Sequence, residues 1–294
     1  MLERRPGSLA RGTGRRCGTM VSVVLAPRLT SKLSAPQSGA DALVAALRAA
    51  GCVFAEDEAA LLRSQARDDD QLAAWTARRV AGEPVEQVVG WAAFRGLRLV
   101  VAPGVFVPRA RTGAVVAAAV ALLQPGDLVV DLCCGTGAVG AALAAAVPGV
   151  VVHATDVDPA AVACARTNLG GAGVVRLGDL DAPLPAALRG RVAAVVANAP
   201  YVPTGQIATM PPEARVHERR AALDGGADGL DLARRVVAAA PRWLRPGGTL
   251  VVETSRRQGP ALADVTAGHG FAARVVHDAT SDGTVVVGRR LASG

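Results

Sequence analysis

Residues 127–140, DLVVDLCCGTGAVG, restrict the fold more than any other part of this 294-residue chain. Leu128, Val129 and Val130 form an unbroken aliphatic run, the pattern of a strand covered on both faces within a parallel sheet. The run ends in Asp131 and breaks into Gly135, Gly137 and Gly140, which permit a tight turn and close approach of the backbone to a bound molecule. Residues 138–147, AVGAALAAAV, are rich enough in alanine and leucine to start a helix at once. Strand, glycine loop and helix in immediate succession predict an α/β chain with a Rossmann-like sheet.

The glycines fit G-x-G-x-x-G, so a dinucleotide is one ligand for this loop. Asp131 argues for another, because a carboxylate beside the loop repels a pyrophosphate and attracts a cation. S-adenosylmethionine, with its ammonium and sulfonium, meets that requirement. The next apolar run, residues 150–155, ends in Asp156, placed where Rossmann-type folds set a carboxylate on ribose hydroxyls. A third run, 174–177, is followed by Asp179, a candidate acceptor for an adenine amino group, and Leu180. A fourth, 192–197, delivers Asn198-Ala199-Pro200-Tyr201 at its carboxyl end, where ligands sit in open parallel sheets.

The remaining organisation follows from spacing and punctuation. Residues 1–38 are rich in Gly, Arg, Ser and Pro and read as a disordered basic arm, with Met20 as a second candidate start. Residues 39–83 show helical spacing and predict a small helical domain with Phe54 and Trp75 in its core. Residues 84–110 alternate and contain Gly90, Gly96 and Pro103-Gly104, which predicts a β-hairpin linker. The sheet domain is expected over 111–294. Within it, 202–228 reads as a long loop without structure of its own, 245–248 as a turn, and 249–253 as a fifth strand.

Charge narrows the partners. Residues 1–32 contribute +6 of the net +7, so the folded body is close to neutral. With only 3% aromatic residues, it lacks the basic and stacking surfaces that a nucleic-acid enzyme needs. No apolar stretch approaches a membrane span. The five cysteines contain no C-x-x-C, which fits a reducing cytoplasm; Cys133 and Cys134 read as small packing residues, and no metal-ligand cluster is present.

Taken together, the glycine loop, the acid after the second strand and Asn198-Ala199-Pro200-Tyr201 resemble the class I S-adenosylmethionine-dependent methyltransferases. More narrowly, the chain resembles the protein-(glutamine-N5) methyltransferases of the PrmC/HemK type, which modify peptide chain release factors. That resemblance also rests on Glu86-Gln87-Val88-Val89-Gly90, on Val105-Phe106-Val107-Pro108-Arg109, and on Leu223-Asp224-Gly225-Gly226 with Asp228-Gly229-Leu230. It implies a Rossmann-like methyltransferase sheet and a cytoplasmic monomer acting on a release factor or another glutamine-bearing protein. The cofactor would lie against Asp131, Cys133, Gly135, Thr136, Gly137, Asp156, Asp179, Leu180 and Asn198. The acceptor would meet Asn198, Ala199, Pro200 and Tyr201, with Asn198, Pro200 and Tyr201 carrying catalysis. Glu253 and Gln258 are expected to be structural. Two departures stand out: Ala199 replaces the usual proline, and Ala110-Arg111-Thr112-Gly113 replaces Pro-Glu-Thr-Glu. Because the same N-x-P-Y element serves enzymes that modify the adenine amino group, an adenine-N6 methyltransferase is the rival reading.

Overall fold

The computed structural model describes residues 38–291, so the expected arm lies outside the described residues up to Gln37. Three helices come first: α1 (Ser38–Ala49), α2 (Ala55–Gln65) and α3 (Asp69–Val80). Asp68 caps α3 by accepting from the Gln71 N–H at 2.7 Å. Leu43, Leu47, Ala55, Ala59, Leu62 and Val88 form the buried cluster of these helices, with Trp75 packed at its margin. Phe54 does not join them. It stands at the N-cap of α2 and is 67% exposed, because the inward positions of that turn are taken by Cys52 and Ala55.

The expected hairpin is shorter than its alternating sequence suggested. Pro84 and the left-handed Gly90 (φ 81°) bracket a short helix, α4 (Val85–Val89). Only β1 (Trp91–Phe94) and β2 (Leu97–Val100) pair antiparallel. Proline before a first turn and glycine at a C-cap are helix punctuation, and here they override the β-branched content.

After α5 (Gly113–Val120) the chain alternates strand and helix: β3 (Leu128–Leu132), α6 (Ala138–Ala146), β4 (Val151–Asp156), α7 (Pro159–Leu169), β5 (Gly173–Leu177) and β6 (Val192–Ala197). There follow α8 (Pro212–His217), α9 (Asp231–Trp243), β7 (Leu244–Thr254), α10 (Gly259–Gly268), β8 (Phe271–Asp278) and β9 (Gly283–Arg290). The sheet order is β5-β4-β3-β6-β7-β9-β8, parallel except for β9, which runs antiparallel to both of its neighbours. The expected turn at 245–248 is a bulged excursion inside β7: Val192 pairs with Leu244 and Ala194 with Thr249, so two steps on β6 oppose five on β7.

Strand alternation divides the core. Val129 faces a layer with α5, α6 and α7, while Val130 and Leu132 face a layer containing residues of α9 and Leu262 of α10. The chain runs outward from β3 through β4 to β5, then crosses back to place β6 on the other side of β3. That reversal sets the carboxyl ends of β3 and β6 side by side, opening the crevice where open α/β sheets bind ligands. No helix among the described residues is long and apolar enough to cross a membrane.

Candidate active site

At this crevice lies a cavity of about 400 Å³, within the range of roughly 300–1,000 Å³ typical of small-molecule sites. Its walls come from four strand ends and the segment after β6. Asp131, Cys133, Gly135, Thr136, Asp156, Asp179, Leu180, Asn198, Ala199, Pro200 and Tyr201 all line it, so nearly every residue singled out from the sequence converges here.

Asp131, one residue before the end of β3, points to the α6 side of the sheet. It is 1% exposed, and its Oδ2 accepts the Gly140 N–H at 3.0 Å from the first turn of α6. Gly140 must be glycine, since a Cβ there would meet Val152 Cγ1 at 2.9 Å and Asp131 Oδ2 at 3.3 Å. Burial raises the Asp131 pKa to about 7, the Gly140 N–H opposes this, and the neighbouring Asp156 charge adds to it.

Asp156 shapes the glycine loop. Its Oδ2 accepts from the Gly135 N–H at 2.8 Å and its Oδ1 from the Asp158 N–H at 2.9 Å. Burial again raises its pKa despite these bonds. The loop needs left-handed backbone at Cys133 (φ 57°), Gly135 (φ 54°) and Gly137 (φ 75°). Gly137 itself lies outside the cavity wall. Its N–H bonds the Cys134 carbonyl at 2.7 Å, and a Cβ would strike Ala165 of α7, so close packing on α7 requires glycine there. Burial pushes the Cys133 and Cys134 thiols up, which suits the small packing residues expected from the sequence. Asp179 stands at the exposed rim, paired with Arg235 at 2.6 Å.

On the acceptor side, Asn198 follows directly after β6. Its Nδ2 donates to Thr112 Oγ1 at 3.1 Å, which leaves Oδ1 as an acceptor at the cavity wall. Among the described residues, no backbone N–H bonds the carbonyls of Ala199 or Pro200. The Tyr201 hydroxyl donates to Glu253 Oε1 at 3.3 Å, and burial lifts its pKa to about 12.

The next turn is fixed from behind. Gln258 Nε2 donates to the carbonyls of Tyr201 and Asp228, both at 2.9 Å. Gly225 and Gly229 approach the same backbone: a Cβ on Gly225 would lie 2.7 Å from the Pro200 oxygen, and one on Gly229 2.3 Å from the Tyr201 oxygen.

Residues 202–228 are not the unstructured loop expected. Short 3₁₀ turns at Thr204–Thr209 and Arg220–Ala222 flank α8, and Val202 bridges Asp224. Long-range polar contacts hold the segment. Arg79, 5% exposed, bonds Glu58 and reaches Glu213, while Glu218 takes Arg109 at 2.7 Å and the Val107 N–H at 3.2 Å. Sequence reasoning missed Thr112, Arg79 and Glu218 as parts of this arrangement, because each acts through a partner more than 80 residues away.

Against this geometry, the sequence profile of the Methyltransferase small domain family matches residues 96–227. The release factor glutamine methyltransferase of Mycolicibacterium smegmatis is 43% identical over 70% of this chain and 79% of its own length. That of Streptomyces coelicolor is 45% identical over 62% of this chain and 66% of its own length. This chain belongs to the release factor glutamine methyltransferase family. The crystal structure of a methyltransferase from Pyrococcus furiosus matches the fold with a TM-score of 0.51 at 16% identity, covering 75% of this chain and all of that one.

Proposed function

We propose that the protein transfers a methyl group from S-adenosylmethionine to the side-chain amide nitrogen of a glutamine in a peptide chain release factor. The observation that carries this reading is the pairing of two environments in one cavity. Asp131 is a buried and Asp156 a half-buried carboxylate, both with raised pKa values and with no cation paired to either among the described residues. Asn198, in the same wall, offers a fixed acceptor oxygen.

The first environment fits a cationic cofactor. Desolvated carboxylates without counter-ions are costly, and a ligand bearing positive charge offsets that cost. The Gly135 backbone, freed of a side chain, allows close approach, while Asp156, Asp179 and Leu180 would surround the nucleoside portion. S-adenosylmethionine supplies a methyl group on a positively charged sulfur, an already activated leaving group.

The second environment fits a planar NH₂ group. An amide nitrogen is a poor nucleophile because its lone pair is delocalised into the carbonyl. The Asn198 Oδ1 and the carbonyl of Ala199 or Pro200 would accept its two N–H bonds and hold it in line with the methyl group. Those acceptors also favour the positive charge that builds on nitrogen as the bond forms. Tyr201 would pack on the amide plane, its hydroxyl anchored by Glu253. As the N–C bond forms, the C–S pair leaves with sulfur, and the surplus amide proton passes to water.

The test is to incubate the protein with a bacterial release factor and S-adenosylmethionine and to map modified peptides by mass spectrometry. A gain of one CH₂ on a glutamine side chain is the expected result. Transfer to adenine in DNA or RNA, with none to the release factor, would replace this reading with the nucleic-acid one.

A further inference from the structure

The orientation of Asn198 is decided outside the cavity. A side-chain amide can present either its oxygen or its NH₂, and the chemistry above uses only the oxygen. The Nδ2 of Asn198 reaches Thr112 Oγ1 at 3.1 Å, and Thr112 is almost fully buried. A hydroxyl has one proton to give. Thr112 stands close enough to the Glu253 carboxylate that its hydroxyl opposes the rise in pKa that burial causes there, and the Tyr201 hydroxyl donates to the same group at 3.3 Å. Glu253 is 2% exposed, and its Oε2 is buried with no hydrogen-bond partner among the described residues. A buried carboxylate can only accept, so it draws the Thr112 proton towards itself. That leaves the Thr112 lone pairs for Asn198.

We propose that Thr112 and Glu253 are positioning residues: the buried carboxylate polarises the Thr112 hydroxyl, which then holds the Asn198 amide with its oxygen facing the acceptor. The chain of contacts runs from β7 through the turn before α5 to the end of β6. Neither residue needs to touch the acceptor. If Glu253 were an amide, its NH₂ could donate to Thr112, the hydroxyl could turn its proton to Asn198, and the presented group would reverse.

This inference rests on the proposed methyl transfer, and the test separates the two. In steady-state assays with a release factor, Thr112→Val and Glu253→Gln are each expected to lower kcat about 10- to 100-fold, the usual loss when an orienting partner is removed. The KM for S-adenosylmethionine stays near wild type, and Thr112→Ser restores turnover. A merely structural role would instead lower Tm and cofactor affinity together with kcat, without rescue by serine. Wild-type turnover in Thr112→Val overturns the inference while leaving the proposed reaction standing. If the wild-type protein modifies no glutamine, the proposed reaction fails, and a second readout judges the inference independently. Without any acceptor, the Asn198 side-chain ¹H–¹⁵N resonances should shift in Thr112→Val and Glu253→Gln and return in Thr112→Ser. Unchanged resonances in Thr112→Val overturn it.

Discussion

Asp131 makes cofactor binding pH-dependent, with a sign and size that follow from its surroundings. Burial raises its pKa to about 7, and a cation is held only by the ionised form. Apparent affinity is therefore reduced by the fraction of protein in the competent state. With a pKa near 7, about one molecule in eleven is ionised at pH 6 and about three in four at pH 7.5. The dissociation constant for S-adenosylmethionine is expected to fall about eightfold between those values. Staying at or below pH 7.5 keeps most of the cofactor's amino groups protonated, given an ordinary α-amino pKa of about 7.7–8.0. Titration calorimetry in two buffers of different ionisation enthalpy should also register proton release on binding at pH 6.5. Asp131→Asn should bind weakly and lose most of the pH dependence. The ligand-free protein shows the converse. For an acid whose folded pKa is raised, the stabilising contribution is complete below the unfolded pKa near 4 and is lost as pH rises through 7. Asp131→Asn should accordingly raise the Tm of ligand-free protein at neutral pH. Affinity that is flat between pH 6 and 7.5, or that improves in acid, would refute the role given to Asp131.

Three further outcomes follow. Asn198→Ala should lower kcat about 100- to 1,000-fold, the usual effect of losing a group aimed at transition-state charge, while calorimetry finds the cofactor still bound. Gly229→Ala combines a positive φ of 79° with a Cβ 2.3 Å from both Gln258 Nε2 and the Tyr201 oxygen. Urea denaturation should show a loss of about 1–3 kcal/mol, together with reduced turnover. Arg79→Ala removes the partner of the largely buried Glu58 and frees Glu213 of α8, so it should cost about 3 kcal/mol by denaturation and speed proteolysis within residues 202–228.

The sequence by itself determined the parallel strands, the glycine loop and the strand-end acids. Each of these is written in neighbouring residues: aliphatic runs for burial on two faces, glycines for positive φ, and Asp158-Pro159 for a helix start that the structure shows capped by a 2.9 Å bond to the Ala160 N–H. Asn198 to Tyr201 was legible for the same reason. Two local errors arose where signals competed. Pro84 and Gly90 closed a helix within a β-like alternation, and β7 absorbed its own turn as a bulge. Phe54 was misplaced because hydrophobicity does not say which side of a helix start faces inward.

Tertiary structure decided the rest. It alone brings Thr112 to Asn198 and Glu253 to Tyr201, ties α8 to α3 through Arg79, and turns residues 202–228 into an ordered wall. These contacts join positions distant in the chain, whose pairing follows from sheet order. It also sets the ionisation of Asp131, because a carboxylate's pKa is fixed by the water it loses and the charges it meets, and neither is a property of its neighbours in sequence.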